Sequence, residues 1–269
     1  MTALSADILD ALDGFLLELN AAAGEAIAPW FRAADNGEVD KGGPRGFDPV
    51  TEADKGAERA IRALIAARYP DHGVIGEEYG EDRPDAEFVW VLDPVDGTRA
   101  FVAGLPLWTT LIGLRHQGRP VLGSIGQSYL GEIYIGHARG ARRIGPDGVA
   151  PLKTRACPDL TQAVIATTDP EGCFNATELD AWRRVRAASR LARLGCDAYA
   201  YAMVAAGTMD LVIEAGLKAW DIDAAIPVLE GAGGVVTDWS GQSVGATGGQ
   251  VILAGDKACV GQVLDALAG

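Results

Sequence analysis

Histidine is nearly absent from the 269 residues. Only His72, His116 and His137 occur, and no two stand at the spacing of paired zinc ligands, which disfavours a zinc hydrolase. The four cysteines, Cys157, Cys173, Cys196 and Cys259, include no C-x-x-C pair, so reduced thiols are expected rather than a disulfide framework. Basic residues are outnumbered, 23 Lys and Arg against 37 Asp and Glu, and the net charge of −14 has the wrong sign for a nucleic-acid backbone or an anionic membrane surface. No apolar run approaches the length of a transmembrane helix. The amino-terminal MTALSADILDALDG carries acids where a signal peptide needs basic residues, so a cytoplasmic location is expected. The glycine cluster GAGG at 231–234 matches neither the phosphate-loop pattern G-x-x-x-x-G-K-[ST] nor the dinucleotide fingerprint.

What is present is ample core material. Hydrophobic residues make up 48% and charged residues 22%, enough for one large domain or two closely packed lobes. Apolar residues recur at helical spacing from about Asp7 to Phe31, and again from about Thr51 to Arg68, where Tyr69-Pro70 stops the pattern. Between them, AADNGEVDKGGPRGFDP reads as a mobile loop. HGVIGEE and EFVWVLDP are short apolar runs that finish in acids, and WTTLIGLRHQG, PVLGSIGQ, GEIYIGHA and GARRIG follow as an antiparallel meander. Beyond about Pro151 strand and helix patterns alternate, including helices over Glu178–Ala187 and Ala198–Ala206 and after Trp220. The expectation is an α+β protein with an N-terminal meander lobe over 1–145 and a C-terminal α/β lobe over 146–269, acting as one functional unit.

The chemistry gathers in acidic motifs. In WVLDPVDGTRAF (Trp90–Phe101) an apolar strand delivers Asp93, and Asp96 follows three residues later. Two carboxylates that close repel unless a cation sits between them, and an oxygen-only site suits Mg²⁺. Asp-Pro and Asp-Gly are also ordinary turn formers. Context favours the site, because the amides of Gly97 and Thr98 at a helix start can receive phosphate oxygens. Glu77 and Glu78 end the run GVIG; Glu77 is the better ligand candidate, while Glu78 reads as a solvated turn acid. Thr51 and Asp54 form a capping-box pattern, and the residues alone favour that role for Asp54. In EAGLKAWDIDAAIPVLEGAGG, Asp221 stands near a helix start with Asp223 two residues on, and Pro227 implies a kink or a displaced start.

The motifs VTEAD, GEE, LDPVDGT and WDIDAAIPVLEGAGG, in this order and spread over nearly the whole chain, resemble the inositol monophosphatase superfamily of Mg²⁺-dependent, lithium-sensitive phosphatases. The resemblance implies a layered αβαβα architecture in a homodimer. It implies Glu77, Asp93, Asp96, Asp221 and the Val95 carbonyl as metal ligands, and Thr98 with Asp54 as the pair that orients and activates water. Asp54 then serves both as cap and in catalysis. The segments TRAF…G-x-PLW and G-x-D-x-Y-x-Y are similar to the histidinol-phosphate phosphatases within that superfamily, which act in histidine biosynthesis.

Four site carboxylates and a phosphate dianion bring together about six negative charges, which two to three Mg²⁺, or Mn²⁺ in their place, would nearly neutralise. A substrate with an ammonium and an imidazole suits acidic and aromatic partners. The candidates are Asp197 and Glu214 with Trp108 as a wall, against the plainer readings of helix cap, strand-end acid and core residue. Arg99 meets either phosphate or a surface acid. The competing functions are a broader inositol or sugar phosphatase of the same superfamily and a catalytically silent, metal- or partner-binding member.

Overall fold

The computed structural model describes residues 4–42 and 49–269, so positions 43–48 of the expected mobile loop lie outside the described residues. Helix α1 (Ala6–Ile27) is capped by Ser5, whose hydroxyl accepts the Ile8 amide, and it buries Leu12, Leu16 and Leu19 on one stripe. It ends before the expected Phe31. A short ribbon of β1 (Val39–Asp40) and β2 (Pro49–Val50) leads to α2 (Glu52–Arg68), then β3 (Gly73–Gly76) and β4 (Gly80–Asp82). The meander follows: β5 (Phe88–Asp96), the five-residue helix α3 (Thr98–Val102), β6 (Thr109–His116), β7 (Arg119–Gln127), β8 (Glu132–His137), β9 (Gly140–Gly145) and β10 (Gly148–Pro151).

The second half runs β11 (Val164–Thr167), α4 (Pro170–Cys173), α5 (Ala176–Ala188), β12 (Leu191–Leu194), α6 (Tyr199–Ala205) and β13 (Leu211–Leu217). It closes with α7 (Ala219–Ile222), α8 (Ala225–Gly231), β14 (Val235–Thr237), β15 (Gly249–Ala254) and α9 (Lys257–Ala268). The helix expected after Trp220 is thus two short helices, with Pro227 at the third position of the second, where its missing amide costs no internal bond.

Two sheets organise the layers. One has eight strands in the order β10-β9-β8-β7-β6-β5-β3-β4, antiparallel except for β3 beside β5. It includes β10, so the meander continues past residue 145. The other has five strands in the order β12-β11-β13-β15-β14, with the two β11 pairings parallel. Helices α1 and α2 cover the outer face of the first sheet through Leu16, Ile61, Trp90 and Ile112. Helices α6 and α8 fill the space between the sheets, joining Leu111 and Ile125 of one to Val212 and Leu253 of the other. Helices α5 and α9 cover the far face around Trp182, Ile213 and Val263. The five layers are the αβαβα sandwich expected. No helix of the described residues is long and apolar enough to cross a membrane.

The α7–α8 segment lies unusually close to the first sheet because glycines floor its path. A methyl group at Gly123 of β7 would stand 2.8 Å from Ala224 Cα and overlap the Ala224 carbonyl, and one at Gly136 of β8 would overlap Val228 and the Pro227 carbonyl. These contacts are with backbone, which has little room to give. Gly123→Ala should therefore lower stability by about 2 kcal/mol, the usual cost of overpacking, read as a fall in the urea midpoint without a change in slope.

Candidate active site

Asp93 and Asp96 both belong to β5, and their separation of three residues would put them on opposite faces of a regular strand. The strand is not regular there. Asp93 pairs with Leu111 and Asp96 with Thr109, so β5 carries one extra residue, a bulge at Pro94-Val95. The Thr110 hydroxyl holds the Pro94 carbonyl at 2.8 Å. The bulge turns both carboxylates to one side, where α7 presents Asp221, whose own side chain accepts the Lys218 amide at 2.6 Å. Carboxylate oxygens of Asp93, Asp96 and Asp221 lie within 4.8 Å of one another, and Glu77 lines the same cleft. Burial, with the neighbouring acids behind it, raises Asp93 and Asp96 well above the usual carboxylate range. Burial also raises Glu77 to about 7 against the pull of Lys41. An all-oxygen donor set of this density fits a hard divalent cation.

Beside the cluster, Asp54 is fully tied. Its Oδ2 accepts the Thr51 amide at 2.8 Å and the Thr51 hydroxyl at 2.5 Å, completing the capping box of α2. Its Oδ1 lies 3.4 Å from the Thr98 hydroxyl, which is also 3.1 Å from the Val95 carbonyl. Burial, against the Thr51 hydrogen bonds, raises Asp54 to about 6. Gly97 has φ +80°, and a side chain there would press on Asp197 at 3.1 Å, so glycine is required twice over.

The opposite wall comes from the second sheet. Asp197, in a left-handed conformation (φ 44°), and Glu214 of β13 both line the cleft. Glu214 accepts from the Thr168 amide at 2.8 Å, the Thr168 hydroxyl at 2.9 Å and the Thr167 hydroxyl at 3.2 Å. Burial raises it to about 8, and raises Asp197 to about 6 although Arg99 opposes this. Arg99 stands at the rim, 3.2 Å from Asp169.

The structure settles where several other residues stand. Trp108 is no wall of the cleft: it is 1% exposed and packs edge-on against Phe31 and Phe101 in the core under α1. Asp223 is a buried partner of Arg115, on the far side of α7 from the cluster. His116 and His137 are buried at the ends of β6 and β8. Glu78 is not the solvated turn acid expected, for its side chain is nearly buried and is held by Lys41 at 2.9 Å.

Three residues carry no role in the sequence analysis, although Tyr201 closes its G-x-D-x-Y-x-Y segment. Lys41 bridges Glu77 at 3.1 Å and Glu78 at 2.9 Å; burial opposes its charge, but the two acids hold its ammonium above the ordinary lysine range. Its signal was hidden in a run read as loop punctuation. Glu58 is fully buried and accepts the amides of Glu78 at 2.8 Å and Tyr79 at 3.2 Å while pairing with Arg62 at 2.7 Å. Its position four residues after Asp54, on the same helix face, was the available clue. Tyr201 of α6 lines the cleft although only 2% exposed.

Taken together, the layered fold and its acidic cleft define a hydrolase of phosphate monoesters, and similarity to known proteins agrees. A profile of the inositol monophosphatase family matches residues 9–267. The chain is 42% identical to the bifunctional phosphatase IMPL2, chloroplastic, of Arabidopsis thaliana, over 95% of this chain and 75% of that one. It is 34% identical to a histidinol-phosphatase of Chlorobaculum parvum, over 72% and 74% of the two chains. A solved inositol monophosphatase from Zymomonas mobilis superposes with a TM-score of 0.86 at 37% identity, covering 99% of this chain and 100% of that one. The protein belongs to the inositol monophosphatase family.

Glu58 acts on the turn that carries Glu77, and the structure makes its cost measurable. Glu58→Ala strands two backbone amides and the Arg62 guanidinium, which should remove about 3 kcal/mol of stability. Thermal unfolding beside the wild type checks this.

Proposed function

We propose that the protein is a Mg²⁺-dependent histidinol-phosphate phosphatase, converting L-histidinol phosphate and water to L-histidinol and phosphate. The observation that carries this reading is the second acidic pair. Asp197 and Glu214 face the cleft from the wall opposite Asp93 and Asp221, where an alcohol leaving group with an ammonium would rest. The relative from Chlorobaculum parvum, named a histidinol-phosphatase, supports it. The cleft is small, about 230 Å³, and opens past Arg99 into a hollow of about 460 Å³ that leaves room for a ring.

In this reading Glu77, Asp93, Asp96, Asp221 and the Val95 carbonyl hold two to three divalent ions. The ions supply charge neutralisation and Lewis acidity at the phosphoryl oxygens. The chain's own residues do the rest. The Gly97 and Thr98 amides orient the phosphoryl group. The Thr98 hydroxyl, with its proton directed to Asp54 Oδ1, offers its lone pairs to a proton of the attacking water. Asp54, raised to about 6, is poised to accept the Thr98 proton as the hydroxyl takes one from the water, so the proton is relayed. Glu214 and Asp197 grip the cationic end of the alcohol and keep the ester in line.

A neutral polyol is the second reading, favoured by the 37% identity to the Zymomonas mobilis inositol monophosphatase over 99% of this chain. Parallel measurement of phosphate release from histidinol phosphate and inositol 1-phosphate, with Mg²⁺ and with EDTA, separates the two. Faster turnover of inositol 1-phosphate would defeat the histidinol reading, and release that survives EDTA would defeat the metal-dependent one.

Two variants test the division of labour. Asp93→Asn should lose a metal site and nearly all turnover, while Thr98→Ala should keep Mg²⁺ affinity, read by calorimetry, and lose about 100-fold in kcat.

The pH dependence follows from Glu214. Its acid form persists in the free protein up to about 8, so its grip on a cation strengthens as pH rises toward that value. The kcat/KM for histidinol phosphate should climb between pH 6.5 and 8 more steeply than that for inositol 1-phosphate, and Glu214→Gln should abolish the difference. The same shift lowers folding stability as pH rises from the unfolded value of 4.5 to about 8, where the loss levels off.

A further inference from the structure

The Tyr201 ring is packed among the residues between the two sheets, yet the residue also lines the cleft. Its place is fixed by the start of α6, where the Ala198 amide donates to Asp96 Oδ2 at 2.7 Å; Tyr201 follows one turn later on the same side. Its hydroxyl has no hydrogen-bond partner among the described residues, and it is not among the polar atoms sealed from solvent without one. The hydroxyl therefore reaches the open space of the cleft. A phenol this buried ordinarily finds a partner.

The neighbouring donors are already engaged. The Thr168 hydroxyl is spent on Glu214, the Thr98 hydroxyl on Val95 or Asp54, and Arg99 on Asp169. Apart from the Cys173 thiol, a weak donor, the cleft's remaining polar side chains on this wall are carboxylates that suit a cation. What Tyr201 adds is a neutral O–H, which is protonated at neutral pH.

We propose that Tyr201 is a specificity-determining residue whose hydroxyl donates a hydrogen bond to an acceptor on the alcohol part of the phosphate monoester, a hydroxyl oxygen or a ring nitrogen. The substrate class is thereby narrowed to monoesters whose alcohol carries such an acceptor within reach of the ester. This rests on the reading of the cleft as the monoester site. Selectivity follows because an alcohol without the acceptor leaves the phenol unpaired in a partly dry wall.

The test is Tyr201→Phe in the full chain with Mg²⁺, which keeps the ring and removes only the hydroxyl. The kcat/KM is measured for histidinol phosphate, inositol 1-phosphate and ethyl phosphate, the last having no acceptor on its alcohol. The ratio of the better acceptor-bearing ester to ethyl phosphate should fall about tenfold, the worth of one hydrogen bond at such a site. A merely structural role lowers every value together and leaves the ratio unmoved, and that result would overturn the proposal. In that case wild-type hydrolysis still stands and only the assignment of Tyr201 is lost. A wild type that releases phosphate from none of the three esters overturns both readings.

Discussion

Like charges held together in a desolvated cleft are the constraint around which this molecule is arranged. Two ionised carboxylates 4.8 Å apart, the outer separation within the Asp93, Asp96 and Asp221 group, repel by about 3.5 kcal/mol at an effective dielectric of 20. Three such pairs approach the whole stability of an ordinary domain. The cluster is tolerable only where protons or cations offset it and where the backbone is too well fixed to splay apart. Both conditions are visible. The acids are pushed up toward their neutral forms, and the segments carrying them are pinned from outside the cleft.

The pinning is done by backbone irregularity as much as by side chains. The bulge in β5 re-aims Asp96 beside Asp93, and β13 has its own register shift between Glu214 and Leu217, directly before the turn that leads to Asp221. Neither strand would deliver its acids correctly if it stayed regular. Glycines in β7 and β8 then let α7 and α8 settle close enough for Asp221 to meet the other two. On the far side Glu58 plays the same part for Glu77, because a carboxylate that accepts two amides of the 77–80 turn fixes the residue at its head. The acids that face the cleft are thus supported by groups that do not.

Much of this was legible in the sequence because the motifs are local. Strand-then-acid in VWVLDPVD, the capping box around Thr51, and the alternation of strand and helix beyond Pro151 each declare themselves within a dozen residues; they give the two lobes, and the resemblance of the motifs to the superfamily implies the layered sandwich. What was not legible depended on long-range placement. Trp108 looks like a ring beside the phosphate loop, but the turn just before β6 packs it into the core against Phe31, a partner 77 positions away whose approach no local pattern encodes. Asp223 differs from Asp221 only by two residues, and helical geometry sends them to opposite sides, one to the cleft and one to Arg115. Lys41 was missed for the same reason, and Tyr201, visible in G-x-D-x-Y-x-Y, had no legible role: a lysine in a loop and a tyrosine in an alanine-rich helix acquire meaning only from what folds over them.

The two walls of the cleft come from different sheets, and that division bears on why relatives of one fold carry names for different substrates. The residues assigned here to ions and phosphate stand chiefly on the eight-stranded sheet and on α7 lying against it. Those assigned to the alcohol, Asp197, Tyr201 and Glu214, stand on α6 and β13 of the other lobe. Two ties join the alcohol wall to the acid cluster: the Ala198 amide donates to Asp96, and β13 runs on from Glu214 through Leu217 into α7 and Asp221. On that assignment a change of substrate requires new side chains on α6 and β13 with those ties preserved, whereas a change among Asp93, Asp96 and Asp221 removes a carboxylate from the set that would hold the ions. The electrostatics that make one wall costly to alter leave the other free to vary.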